Sequence, residues 1–337
     1  MKRVGERTII FENKPTILSY GSVVGKKEHE GPLSSEFDTY TIDSFFGEKT
    51  FEKAESKLQK TAVQTALDKG GFKDSDIDNI FAGDLLNQCI GSSFGLREFG
   101  IPFIGLYGAC STMALSTGLA SIFVDSGAAE RAVAVTSSHF CSAERQYRFP
   151  LNYGSQRTPT AQWTVTGSGA LVLGRGKDKP YINSVTFGEI EDYGIKDINN
   201  MGAAMAPAAA GTIKKFFSDT GTEPEDYDII FTGDLGYVGT NLLYELLERD
   251  GIDIRCRHSD CGLIIFDREK QDVHAGGSGC GCSASVLCSY IMHRFEEGDF
   301  NNILFMSTGA LMSPTSSFQG ESIPGIAHLL NIRKNTT

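Results

Sequence analysis

The sequence predicts an α/β fold made of two βαβ-type halves related by a pseudo-twofold axis, each half giving one central helix. Three ordered matches carry that prediction. Residues 226–235 (Asp-Tyr-Asp-Ile-Ile-Phe-Thr-Gly-Asp-Leu) repeat residues 76–85 at seven of ten positions, 150 residues later. Gly279-Cys280-Gly281-Cys282-Ser283 echoes Gly108-Ala109-Cys110-Ser111-Thr112. Each echo is followed by a helical stretch, a charged turn and a β-branched strand, 133–138 in one half and 303–308 in the other. Matches that keep their order over a fixed offset mark an internal duplication.

The elements follow in chain order. Residues 9–11 and 16–21 read as strand broken by Pro15, and 25–47 as a long polar loop. Residues 48–69 place Phe51, Ala54, Leu58, Ala62, Ala66 and Leu67 at helical spacing, and Gly70-Gly71 ends that helix. A strand at 76–85 and a helix near 91–99 lead to a short apolar strand, 101–107. The small and apolar run 114–124 is a buried helix, and 131–136 a strand ending at His139. Residues 140–163 form a second polar loop, a length that in compact folds usually serves function. The strand 164–173 closes the first half, and Gly174–Pro180 separates residues 1–176 from 177–337. The second half repeats the series with a helix at 202–218 and the strands and helix already named.

Bulk composition excludes several functions. The net charge of −11 opposes general nucleic-acid binding, which needs clustered Lys and Arg against phosphates. Eight cysteines without a small disulfide framework read as reduced thiols of a cytosolic compartment. No secretory signal and no apolar run of transmembrane length is expected.

The chemistry centres on Cys110. Strand, tight small-residue turn, Cys, then helix places a thiol at a helix N-terminus, where unpaired N–H groups favour negative charge. That geometry either activates a thiolate or holds an anion. Cys256, His258, Cys261, Cys280 and Cys282 do not have the spacing of the common zinc pairs, and no metal site is expected.

A duplicated α/β chain with Cys on the turn into its first buried helix resembles the thiolase-like superfamily, and is especially similar to type III β-ketoacyl synthases. The resemblance implies duplicated βαβαβαββ halves in a five-layer α-β-α-β-α sandwich, and a homodimer. The strings 83–88 (Gly-Asp-Leu-Leu-Asn-Gln), 108–112, 136–139 (Thr-Ser-Ser-His), 143–146 (Ala-Glu-Arg-Gln), 205–210 (Met-Ala-Pro-Ala-Ala-Ala), 258–263, 275–280 and 321–324 are similar to the stage V sporulation protein AD family. That resemblance implies a protein that binds dipicolinic acid, with calcium as part of the ligand rather than as a cofactor. It would act with other proteins of a transport assembly, peripheral to the spore inner membrane.

In condensing enzymes of the superfamily a His and an Asn (or a second His) serve the thiolate. The repeat puts the first opposite Cys110 at Gly233 and the second near Gly276–Gly279, and neither residue is present. Glycine cannot move a proton. Binding is therefore expected over acyl transfer, with His139 as the substitute base if the chain is an enzyme. The candidate ligand contacts are Cys110, Ser111, His139, Arg145, Arg148, Asp84, Gly233, Asp234, Cys282 and His328. Arg145, Arg148 and Arg157 suit a dicarboxylate, with Tyr147 and Phe149 against its ring. Several of these have bland alternatives: Asp84 and Asp234 as turn caps, His139 as a backbone cap, His328 as a satisfied core histidine, and Arg145, Arg148 and Arg157 as residues of a solvated loop.

Overall fold

The computed structural model of the chain describes residues 1–147 and 156–334. The first half forms strands β1 (Thr16–Val24), β2 (Asn79–Gly83), β3 (Phe103–Gly105), β4 (Arg131–Ser138) and β5 (Gly167–Gly174). They lie in the order β3-β2-β4-β5-β1, with β2 parallel to both neighbours and β5 antiparallel to both. The second half forms β6 (Tyr181–Phe187), β7 (Ile229–Thr232), β8 (His258–Asp260), β9 (Asn302–Ala310) and β10 (Gly325–Arg333) in the matching order β8-β7-β9-β10-β6. The duplication read from 76–85 and 226–235 is thus β2 and β7, the same strand in each half.

Helices α1 (Phe51–Gly70), α2 (Ile90–Leu96) and α3 (Thr112–Ser126) belong to the first half. Helices α4 (Met201–Thr220), α5 (Gly236–Glu248), α6 (Cys280–Val286) and α7 (Met292–Glu297) belong to the second. α1 covers the outer face of the first sheet, α4 and α5 cover that of the second, and α3 and α6 lie between the sheets. The five layers follow. α1 is amphipathic, burying Ala54, Leu58, Ala62 and Leu67 on one face, as a surface helix must. α3 has no polar face: Met113, Ala114, Ser116, Thr117, Ala120 and Val124 are buried around it. Its small residues let two sheets close on one helix, and each fully buried large side chain such as Met113 contributes about 2 kcal/mol.

Two features add to the sequence reading. Residues 2–10 form a hairpin whose Thr8–Ile10 strand pairs with β6, so the N-terminus extends the second half's sheet. The loop expected over 25–47 carries a short helix, Lys26–His29, and a two-residue strand, Thr39–Tyr40, pairing with β1. Among the described residues, no helix is long and apolar enough to cross a membrane.

Candidate functional site

The turn into α3 is tightly held. Ala109 has φ +50, a left-handed conformation that costs a non-glycine residue about 1 kcal/mol. Local bonds hold it there. Ser111 N–H donates to the Gly108 carbonyl at 3.1 Å, the Thr112 hydroxyl donates to the Ala109 carbonyl at 2.6 Å, and Gly108 N–H donates back to that hydroxyl at 3.1 Å. β9 presses on the turn from the other half. A Cβ at Gly309 would stand 2.5 Å from the Gly108 oxygen and 2.9 Å from the Ser111 nitrogen, so only glycine allows this approach.

Opposite the Cys110 thiol stands a carboxyl group. Asp234, just past the end of β7, is buried and close enough for its charge and that of Cys110 to act on each other. Its Oδ1 accepts from the Thr308 hydroxyl at 2.7 Å and its Oδ2 from Gly279 N–H at 2.8 Å. Burial raises its pKa to about 7 despite those donors. Burial first, and the Asp234 charge second, push the Cys110 thiol well above its usual range. An activated thiolate needs the reverse, a nearby cation or base.

Cys110 forms the floor of a cavity of about 80 Å³ between the halves. Leu85, Tyr107, Tyr147, Ile198, Met201 and Met312 give it apolar and aromatic walls. Its polar atoms come from Glu144, Gln146, Gln162, Thr164, Asn199 and Ser278. Among the described residues no Lys, Arg or His lines it. The Gln162 amide donates to the carbonyls of Asp234 at 2.7 Å and Gly277 at 2.8 Å, tying the cavity wall to the Cys110 partner. Trp163, the chain's one tryptophan, follows in a short strand, stacked on Phe140 with ring centroids 3.8 Å apart.

Most residues anticipated for the site sit elsewhere. Gly233 does not face the thiol. It packs against Ser307, Thr308 and Ser283, and side-chain alternation at the strand end turns Asp234 toward Cys110 instead. His139 is buried in a different place. Its Nε2 bonds the Ser44 carbonyl at 2.8 Å, its Nδ1 accepts from Cys141 N–H, and burial lowers its pKa, so it is a neutral backbone cap and not a base for Cys110. Asp84 caps a turn and helix through Leu86 N–H, Ser92 N–H and the Ser92 hydroxyl, away from the cavity lining. Ser111 spends its hydroxyl on the Gly108 carbonyl. Cys282 is core, its sulfur 3.5 Å from the Gly233 oxygen. His328 accepts from Gly188 N–H within the sheet, and burial lowers its pKa to about 4. Arg145 lines an outer groove with Glu52, Ile90 and Ser142. Arg157 pairs with Asp272 over the Trp163 ring. Arg148 and Phe149 lie outside the described residues. Among the described residues, Cys110 and Tyr147 are the anticipated ones that line the cavity.

The cysteine-histidine constellation is likewise dispersed. His258 is locked between the Thr232 hydroxyl and Tyr244, and burial lowers its pKa to about 3. No group of three or more His, Cys, Asp or Glu side chains able to hold a metal occurs among the described residues.

A second thiol–acid arrangement mirrors the first. Cys280, at the start of α6, donates to the Ser137 carbonyl at 2.9 Å and feels the charges of Glu55 and Asp84 from the first half. Glu55 accepts from Ser142 at 2.6 Å and Ser137 at 3.2 Å, and burial beside Asp84 raises its pKa to about 8. Sequence reading missed this pair because Glu55 looks like any helix-surface glutamate until the loop from 140 to 144 covers it.

Comparison with known proteins agrees with the fold. A structure of 3-oxoacyl-[acyl-carrier-protein] synthase III from Aquifex aeolicus matches 95% of this chain and 99% of its own, with a TM-score of 0.59 at 13% identity. A Xanthomonas campestris OleA variant matches 96% of this chain and 99% of its own, with a TM-score of 0.60 at 13% identity. At that identity the likeness concerns the fold, which is thiolase-like over nearly the whole chain. Stage V sporulation protein AD of Bacillus subtilis is 46% identical over 328 residues, covering 97% of each chain. The family model described as stage V sporulation protein AD (SpoVAD) matches residues 5–333. The chain therefore belongs to the stage V sporulation protein AD family, sporulation proteins built on the fold of condensing enzymes.

Proposed function

We propose that the Cys110 cavity binds dipicolinic acid as its calcium chelate, and that the chain serves the uptake of that ligand into the developing spore. The observation that carries this reading is the cavity's lining: aromatic and apolar walls, amides and hydroxyls, one carboxyl group, Glu144, and no cation among the described residues. A free dicarboxylate buried there would lack compensating charge, an expensive state. Calcium cancels the two carboxylates and leaves a flat, neutral chelate. Hard oxygen atoms, such as those of Gln162, Asn199 and Glu144, are what calcium accepts beyond its chelator. Family membership in sporulation supports the same reading.

The test is calorimetric titration with calcium dipicolinate, free dipicolinate and benzoate. Binding of the chelate, weaker binding of the free acid and none of benzoate are expected, with loss in Ala310→Phe, which fills the cavity. Absence of heat with the chelate at every accessible concentration overturns the proposal.

The alternative reading is acyl transfer through Cys110, favoured by the fold of the synthases. The carboxyl beside the thiol opposes it. Intact-mass detection of a stoichiometric acyl adduct from an acyl thioester, absent in Cys110→Ala, decides for the enzyme.

The assembly follows the same reading. The outer edge of β3 has no partner strand among the described residues, and Phe94, Phe103 and Tyr107 around it are exposed. A homodimer through this edge, held peripheral to the spore inner membrane by other members of the transport assembly, accounts for that surface.

A further inference from the structure

Two segments of the second half, 188–198 and 314–325, are stapled into one surface beside the cavity mouth. Glu191 and Gly325 exchange both backbone bonds, at 2.9 and 2.7 Å, and Ile323 N–H donates to the Ile195 carbonyl at 2.7 Å. The Lys196 ammonium donates to the Gly320 carbonyl at 2.8 Å, and the Ser322 hydroxyl to Asp192 at 2.6 Å. On this braced surface Ile190, Tyr193 and Phe318 are 63%, 66% and 74% exposed. Such exposure of large apolar groups on ordered, hydrogen-bonded backbone marks a contact surface. The rim is acidic. Glu189, Glu191, Asp192, Asp197 and Glu321 surround it against two cations, Lys196 and the Arg7 that pairs with Glu189, and Ser322 and Gly194 N–H favour the ionised form of Asp192.

The charge selects the occupant. A second copy placed by a twofold axis would set this acidic rim against itself. An anionic lipid surface would be repelled for the same reason. What fits is a protein segment with apolar anchors flanked by Lys or Arg. Cytoplasmic loops of membrane proteins have that composition, because positive residues gather there. We propose that this surface docks a basic, apolar-anchored loop of a membrane-embedded partner. The place supports the role: 188–198 runs directly into Ile198, Asn199 and Met201 of the cavity wall, and Met312 precedes the other segment. The docked loop would therefore sit at the cavity mouth, where a ligand leaves or enters. The identity of the partner as a membrane protein rests on the reading above; the surface and its charge preference do not.

The test is flotation of the purified full chain with protein-bearing membrane vesicles from sporulating cells that lack their own copy, beside protein-free phosphatidylglycerol liposomes. Retention is expected on the native vesicles, with loss after protease shaving and none on liposomes. Tyr193→Ser, and Glu189→Lys with Glu321→Lys, should each weaken retention at least tenfold. Glu225→Lys with Glu245→Lys, an equal change of charge at exposed positions elsewhere, should leave it unchanged. Retention by liposomes, retention surviving both surface variants, equal loss in the control variant, or no retention at all overturns the proposal. Calorimetry on the same variants with calcium dipicolinate reports separately on the ligand, so failure of one reading is distinguishable from failure of the other.

Discussion

Replacing Asp234 by Asn should make Cys110 more reactive, the opposite of what a catalytic partner would do. The carboxyl and the thiol act on each other's charge, and at about pH 8 a group whose pKa is about 7 is mostly ionised. Two unit charges taken at a contact distance of about 4 Å and an effective dielectric constant near 20 repel by about 4 kcal/mol, or about three decades in thiolate population, which is the upper bound for this pair. Asn keeps the shape and one acceptor, for Gly279 N–H or the Thr308 hydroxyl, and removes the charge. The expected result is a rise in alkylation rate of at least tenfold, with about a thousandfold as the ceiling. The assay is timed labelling with iodoacetamide, quenching, and peptide mass mapping, with exposed Cys256 as reference within each sample. Asn should cost about 1–2 kcal/mol in stability through the hydrogen bond it weakens, which leaves the fold intact for the comparison. An unchanged ratio of Cys110 to Cys256 labelling in Asp234→Asn refutes the reasoning. So does wild-type Cys110 reacting as fast as Cys256, since a thiol pushed up by burial and a carboxylate cannot.

Other outcomes follow from neighbouring groups. Glu55 holds its proton in the folded chain up to about pH 8, while in the unfolded chain it releases it near its ordinary value of 4.5, so wild-type stability falls by about 1.4 kcal/mol per pH unit between those values. Urea unfolding should therefore show Glu55→Gln gaining about 2–3 kcal/mol on wild type between about pH 6 and pH 8, and a difference independent of pH counts against it. His258 has the contrary sign: its folded pKa of about 3 lies below the ordinary 6.5, so its contribution is lost as pH falls between the two, and His258→Gln should flatten the acid side of the stability profile. Gly309→Val must displace the Gly108 carbonyl, and should lower stability by about 1–3 kcal/mol in denaturant titration and abolish ligand binding in calorimetry. Tyr147→Ala should weaken calcium dipicolinate about tenfold by removing an aromatic wall, and unchanged affinity would place the ring elsewhere.

The fold was legible because duplication writes the same strand twice: β2 and β7 share Gly-Asp-Leu after their apolar cores, and the central helices begin at corresponding turns. The site was legible at Cys110 and Tyr147, and Asp234 was anticipated as a ligand contact rather than as the neighbour of the thiol. The partner of Cys110 was misread by one residue, since a strand end alternates faces and Gly233, aligned with the expected His, points to Ser283 while Asp234 takes the thiol. His139 was at the predicted sheet edge, yet Ser44, from a loop without periodicity, closes over it. Ile198, Met201 and Met312 carry no motif, because apolar walls can be supplied by any loop that the topology brings to the mouth. The docking surface has the same origin. Its apolar residues stand alone among polar ones in the chain and meet only through backbone pairing of distant segments.

The mirrored thiol–acid pairs bear on stoichiometry. The duplication supplied two equivalent crossings of one half's central helix with the other half's strand end: Cys110 with Asp234, and Cys280 near Asp84 and Glu55. Among the described residues the first lines the cavity through Cys110, whereas around the second Ser137, Ser142 and Gln59 occupy the space with hydrogen-bonded side chains. On the proposed reading, calorimetry should saturate at one ligand per chain, because the two copies of the crossing have been filled unequally.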